Sequence, residues 1–356
     1  MKYALIGCGM ISPNHIKAAL ANDLQIVALC DLVEDNRNKA LELIPEDKRQ
    51  GVKLYEDHLK MLLEQKPDVV AIALGSGLKR KLSVDCMRAG ANVIVEKPIA
   101  LSLRDADVMI NTAKECGVKL IVNHQLRFGN TVRALKQEAL KGKFGRILHG
   151  TVQVRRNRNK AYFDAGKWRG TWAEDGGTLM NQCIHYTDLL QWVVGSDVSE
   201  VFAYTDRMTH PYIEAEDLGL AVLKFKNGAY ASIEGTVNVF PKNLSDSMAI
   251  FGGKGTVSLE GKTLDDVRAW NFESGPKSRD EAIEEYSIKD MGSGHVPLYR
   301  YAIDVIGGAD NELCTASDAR KALELILAIY KSAAEHRVVK LPLEDCKTTD
   351  FIGRFD

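Results

Sequence analysis

No C-x-x-C pair occurs among the seven cysteines of the 356-residue sequence; Cys8, Cys30, Cys86, Cys116, Cys183, Cys314 and Cys346 are odd in number and scattered. That spacing argues against a disulfide framework and a structural zinc site, so no metal is expected and a reducing, cytoplasmic setting is. No apolar run approaches the ~18 residues of a membrane span. Glycines and Pro13 interrupt the N-terminal apolar stretch too early for a signal peptide. Neither sign of charge is in excess: 47 Lys and Arg against 48 Asp and Glu leave a formal charge of −1. A general binder of nucleic acid or anionic membrane is therefore not expected. Internal repeats and low-complexity linkers are also missing. What is present is 45% hydrophobic and 27% charged residues, enough for a large core, over a length that suggests two domains.

The first third alternates short apolar runs with helical patterns. Residues 3–6, 25–30, 68–74, 92–95 and 118–122 read as buried strands, and 14–21, 34–44, 56–65, 79–89 and 102–115 as helices. Such alternation means parallel strands joined by right-handed crossovers. After about residue 123 the pattern changes. Helices are expected near 130–141 and 178–194, then β-rich segments at 146–155, 199–206, 217–225, 229–238, 246–251 and 255–259, and helices at 297–307 and 316–335. Turn pairs such as Asn227-Gly228 suit antiparallel hairpins. The fold class is thus α/β: a Rossmann-type dinucleotide-binding domain over 1–123, then an α+β domain with an open, mostly antiparallel sheet over 124–356. The terminal helices are candidates to pack back on the first domain.

The first strand runs into Gly7-Cys8-Gly9-Met10-Ile11-Ser12, a G-x-G-x-x-G turn with Ser in the third place. Gly7 suits the tight turn, and Gly9 lets backbone approach a pyrophosphate held at the next helix N-terminus. Asp31, ending the second strand, is placed to accept from an adenosine ribose and to repel a 2′-phosphate; Leu32, not Arg, follows it. The cofactor expected is NAD.

Three further features invite chemistry. Glu96-Lys97-Pro98 closes a buried strand, at the sheet edge where α/β ligands sit, and Lys97 there could hold and polarise a substrate hydroxyl. Pro98 fixes the chain direction. In 179–194, an apolar helix carries Asn181, His185 and Asp188 at i, i+4 and i+7, a polar stripe in which His185 has the intrinsic pKa of a general base. The competing reading is a core histidine bonded to Asp188 or to a backbone carbonyl. Residues 155–169 gather Arg155, Arg156, Arg158, Lys160, Lys167 and Arg169 against the single acid Asp164, with Tyr162, Phe163 and Trp168 interleaved. This reads as a local anion site, a subunit interface or a solvated charge run.

Together, Gly7-Cys8-Gly9-Met10-Ile11, Asp31, Glu96-Lys97-Pro98, His124-Gln125-Leu126-Arg127-Phe128 and Gly176-Gly177-x3-Asn181-x3-His185-x2-Asp188 resemble the Gfo/Idh/MocA oxidoreductase family. The resemblance implies hydride transfer between a nicotinamide and a sugar-like alcohol, with Lys97 and His185 as the catalytic pair. Cofactor contacts would fall at Gly7, Gly9, Met10, Ile11, Asp31, Leu74, Glu96, Lys97 and Gln125. Asn181 stands where many members carry Asp, which shifts proton transfer further onto His185 and Lys97. Residues 167–172, the motif Gly177-x2-Met180-Asn181-Gln182-x2-His185-Tyr186-x-Asp188-Leu189-Leu190 and Phe240-Pro241-Lys242-Asn243 are similar to a narrower group, the UDP-N-acetylglucosaminuronate 3-dehydrogenases of bacterial polysaccharide synthesis. One departure is visible: Leu74-Gly75-Ser76-Gly77-Leu78-Lys79 stands where that group usually reads like P-S-G-L-H.

The resulting expectation is NAD-dependent oxidation of the C3 hydroxyl of a UDP-N-acetylamino sugar. Catalysis would rest on Lys97, His185 and Asn181, and substrate binding on Arg155, Arg156, Arg158, Tyr162, Trp168, Arg169, Asn181 and His185. Rival expectations are a dehydrogenase of UDP-N-acetylglucosamine, inositol or another polyol, and a non-catalytic NAD-binding sensor. A homo-oligomer, dimer or tetramer, is expected because an open sheet leaves one face uncovered.

Overall fold

Runs of Val, Ile, Leu and Ala that do not alternate must be buried on both faces, and in the computed structural model they are. It describes residues 1–292, 294–311 and 313–356. The chain divides into two units. The first comprises Met1–Ala100, Arg104–Gln125 and Met291–Ala319; the second comprises Leu101–Leu103, Leu126–Asp290 and Arg320–Asp356. The return of the chain to the first unit over Met291–Ala319 has a local cause. In the helix His295–Ile306, Leu298, Tyr299 and Ala302 are fully buried, and the helix packs on Ser12–Ala21.

The first unit holds six parallel strands: β1 Lys2–Ile6, β2 Gln25–Cys30, β3 Lys53–Tyr55, β4 Val69–Ile72, β5 Asn92–Glu96 and β6 Leu120–Asn123. Their order, β3-β2-β1-β4-β5-β6, is that of a dinucleotide-binding sheet. Ile6 lies in register with Cys30 on one side and Ile72 on the other. Gly7, Asp31 and Ala73 therefore leave the sheet along one edge, and Glu96, opposite Asn123, ends a neighbouring strand there. β3 was not anticipated: it is three residues long and buries only Tyr55, too little for a periodic signal.

The second unit is built on nine strands: β7 Ile147–Arg155, β8 Val198–Asp206, β9 Leu218–Phe225, β10 Tyr230–Thr236, β11 Ser245–Gly252, β12 Gly255–Glu260, β13 Asp266–Phe272, β14 Gly275–Pro276 and β15 Val339–Lys340. They run in the order β14-β13-β12-β11-β7-β10-β9-β8-β15, antiparallel throughout except for β7 beside β10. β13 to β15 were missed because two of them have two residues each and β13 buries only Trp270 and Phe272. The helix Ile184–Val194 packs against β7 and β11. On β8 to β10 the alternate side chains Tyr204, Leu220, Val222 and Tyr230 are exposed, a largely apolar stripe on the sheet surface. Among the described residues no helix is long and apolar enough to cross a membrane.

Candidate active site

Gly7 has φ +96°, and a Cβ there would lie 2.6 Å from the Ala73 carbonyl oxygen, so only glycine fits the turn. At Gly9 nothing lies within 4 Å of a Cβ position, which leaves the backbone open to an incoming anion. The Ser12 hydroxyl donates to the Gly9 carbonyl at 2.7 Å and holds the turn from inside. Asp31 accepts from the Cys8 N–H at 2.8 Å through one oxygen and from the Val33 N–H at 2.8 Å through the other. Each oxygen keeps a lone pair for a ribose hydroxyl. Arg37 is the arginine nearest in sequence after Asp31, but it is buried against the Asp31 carbonyl and paired with Glu56 at 3.0 Å. It is thereby occupied rather than offered to a 2′-phosphate. Burial pushes the Cys8 thiol up to about 12, so it stays neutral beside the phosphate turn. Met10 is 78% exposed, Ile11 and Leu74 are partly buried, and Gln125 opens a short helical turn. These residues fit an NAD molecule.

The Glu96-Lys97-Pro98 segment ends β5 with a cis Lys97–Pro98 peptide. Glu96 was expected to touch the cofactor, but its carboxylate turns inward. Oε1 accepts from His15 Nε2 and His295 Nε2, each at 3.0 Å, and from the Asn123 amide. Burial alone would raise its pKa; the hydrogen bonds from His15 and His295 outweigh that and hold it well below the usual carboxylate range. Burial lowers the pKa of His15. With Nε2–H given to Glu96, its Nδ1 is left to accept from the Tyr299 hydroxyl at 2.6 Å, which in turn takes the Tyr3 hydroxyl at 3.0 Å. Lys97 itself is half-buried.

In the second unit the anticipated single helix is two pieces, a wide π-turn over Leu179–Cys183 and an α-helix over Ile184–Val194. Such insertions recur at functional sites, and they change the angular step between Asn181 and His185. Both side chains are half-buried. Asp188 does not share their role. It is 2% exposed and accepts both Arg127 Nε and Nη2 at 2.7 Å, a bidentate buried pair whose guanidinium also lies over Trp192. The stripe therefore shortens to Asn181 and His185. The π-turn is anchored from outside by Glu216 and Tyr330: the Leu179 N–H donates to Glu216 Oε1 at 2.7 Å and the Met180 N–H to the Tyr330 hydroxyl at 3.2 Å.

The basic stretch also separates. Arg155 pairs with Glu234 at 2.6 Å and Arg156 with Asp246 at 2.6 Å, so these two, expected to bind substrate, are neutralised within the sheet. Arg158 is different. It donates to Gln182 Oε1, Asn243 Oδ1 and the Asn157 carbonyl, and among the described residues it has no carboxylate partner. Its buried Nε has no hydrogen-bond partner among the described residues either. Burial and the neighbouring Arg156 lower its pKa, yet a guanidinium stays charged at neutral pH. With Tyr162, Asp175, Asn181, Gln182 and Glu216 it lines a recess inside this unit. Tyr162 lies under both Arg158 and Arg169, at 5.1 and 4.2 Å, while Trp168 packs on Arg169. Asn181 donates to Asp175, and Gln182 donates to the Tyr162 hydroxyl at 3.1 Å. Asp175, Gln182 and Glu216 are not legible as site residues from sequence: Asp175 and Glu216 stand in short acidic stretches, Glu174-Asp175 and Glu214-Ala215-Glu216-Asp217, that read as solvated charge, and only their proximity in space brings the three together.

Residues 1–124 match the NAD-binding Rossmann-fold domain of the Gfo/Idh/MocA oxidoreductase family, and 132–258 match that family's C-terminal domain. The chain is similar in structure to the WlbA dehydrogenase of Chromobacterium violaceum, crystallised with NADH and UDP-GlcNAcA. The TM-score is 0.87 and the identity 36%, over 97% of this chain and 96% of that one. The WlbA dehydrogenase of Bordetella pertussis, also in complex with NADH and UDP-GlcNAcA, gives 0.85 and 34% over 96% and 99%. Among curated proteins, D-apiose dehydrogenase of Paraburkholderia graminis is 27% identical over 96% of this chain and 89% of that protein. The glycine turn, the Asp31 carboxylate, the E-K-P segment and these likenesses converge: the chain belongs to the Gfo/Idh/MocA oxidoreductases, with an NAD-binding Rossmann domain at its N-terminal end.

Proposed function

We propose that this protein oxidises the C3 hydroxyl of a UDP-N-acetylamino sugar, UDP-N-acetyl-D-glucosaminuronic acid first among them, to the 3-keto sugar. The observation that carries the reading is the full-length likeness, at 36% identity, to a dehydrogenase crystallised with NADH and UDP-GlcNAcA. Arg158 supports it, since a charged, partly buried guanidinium without a carboxylate partner among the described residues suits an anionic substrate. Gly7, Gly9 and Asp31 would hold NAD, which supplies the hydride acceptor.

This chain's residues contribute proton handling and geometry. Lys97 donates a hydrogen bond to the reacting oxygen and stabilises developing negative charge, His185 takes the hydroxyl proton, and Asn181, held by Asp175, orients a neighbouring hydroxyl. We also place a second copy of the chain on the exposed Tyr204, Leu220 and Val222 face.

A panel of UDP-sugars and free polyols, followed by reduced-nicotinamide absorbance, tests the reading. The uronate is expected to give the highest kcat/KM, with free UDP as a competitive inhibitor. Apiose or inositol as the better substrate, without UDP inhibition, would establish the second reading, which the D-apiose relative favours. Lys97→Ala and His185→Ala are each expected to lower kcat by about two to four orders of magnitude.

A further inference from the structure

Lys79 departs from the P-S-G-L-H pattern of the resembling group. In the structure it is 1% exposed and opens the helix Lys79–Arg88. That position is doubly unfavourable for an ammonium, which loses water and faces the positive end of the helix dipole. Its hydrogen bonds show what it does there. Nζ donates to the carbonyl oxygens of Lys97 and Pro98, both at 2.9 Å, and to Ser76 Oγ at 3.2 Å. The same turn is gripped at its other end through the Glu96 carboxylate, which takes His15, His295 and Asn123. Backbone carbonyls and one carboxylate thus fix the chain on either side of the Lys97 Cα, so the direction in which that side chain leaves is set by groups beyond its own strand.

We propose that Lys79 is a positioning residue for Lys97: its buried ammonium clamps the Lys97 and Pro98 carbonyls and thereby aims the Lys97 side chain. The inference rests on the catalytic role proposed for Lys97, and a double-mutant cycle tests it. Lys79→Met should lower kcat about 10- to 100-fold, change KM for NAD less than about 3-fold, and cost nothing further in a Lys97→Ala background. Lys79→Arg, which keeps charge and donors, should recover part of the loss. Lys79→Gln serves where the methionine variant does not fold. An equal loss in both backgrounds, or wild-type turnover in Lys79→Met where Lys97→Ala is impaired, overturns the proposal. A second arm separates it from the functional reading: acetylation of Lys97 by a limiting amine-reactive reagent, followed by peptide mass spectrometry. A changed Lys97 acetylation rate in a folded Lys79 variant upholds the clamp even if Lys97→Ala proves fully active, a result that would sink only the catalytic role. An unchanged rate together with unchanged turnover removes the clamp.

Discussion

Asp31 does two things with one carboxylate. It ties the phosphate turn to the next loop through the Cys8 and Val33 N–H groups, and it presents two remaining lone pairs. Hydrogen bonds to a charged acceptor are worth about 1.5–3 kcal/mol each. Asp31→Ala should therefore raise KM for NAD by roughly 10- to 100-fold while narrowing discrimination against NADP, read from initial rates with both cofactors. Arg37, locked onto Glu56, is not expected to rescue NADP binding. Residue identity alone could propose Asp31; that Arg37 is already spent is a fact of packing. The same holds for Arg155, Arg156 and Arg158, alike in sequence and separated only by which of them met a carboxylate on β10 or β11.

At the scale of elements, the segment carrying Asn181 and His185 depends on partners from elsewhere in its unit. Asp188 and Arg127 form a buried pair, so Asp188→Asn takes a carboxylate away from a buried guanidinium. A loss of about 3–5 kcal/mol is expected in denaturant titrations, with turnover of the folded enzyme within a few-fold of wild type. A hundredfold loss of kcat without loss of stability would return Asp188 to the catalytic stripe. Glu216 anchors the π-turn while sitting against Gly177, where a Cβ would come within 1.7 Å of Oε2. Burial pushes its carboxyl up to about 8, from 4.5. The folded state therefore keeps a proton that the unfolded chain releases near 4.5. Stability is greatest below that pH and declines as pH rises toward about 8. Glu216→Gln, which keeps a neutral acceptor, should flatten the decline of Tm between pH 5 and pH 8, as followed by circular dichroism.

For the whole molecule, the question is what covers the second sheet. Tyr204 and Val222 are 61% and 57% exposed, and Leu220, paired across the strands with Tyr204, is 46% exposed. Side chains of this kind in one stripe bury well against a like surface, and a closed symmetric contact is the simplest arrangement. Val222→Lys combined with Leu220→Glu should convert the proposed assembly to a smaller species in light scattering, with the fold retained. A wild-type protein that is monomeric by the same measurement would exclude this use of the face.

Several features were settled by the sequence alone, because they are local. Buried parallel strands announce themselves as unbroken Val, Ile and Ala runs, and a glycine turn between strand and helix needs only neighbours in the chain. The E-K-P segment is legible for the same reason, whereas the helical step expected between Asn181 and His185 is altered by the π-turn. Tertiary structure alone decided which charges are spent and which are offered: Glu96 on two histidines, Asp188 on Arg127, Arg156 on Asp246, Lys79 on the carbonyls of Lys97 and Pro98. Their sequence separations run from 18 to 199 residues, far beyond any periodic pattern. A charge buried on folding must find its partner wherever the chain returns, and that return is a property of the packed molecule.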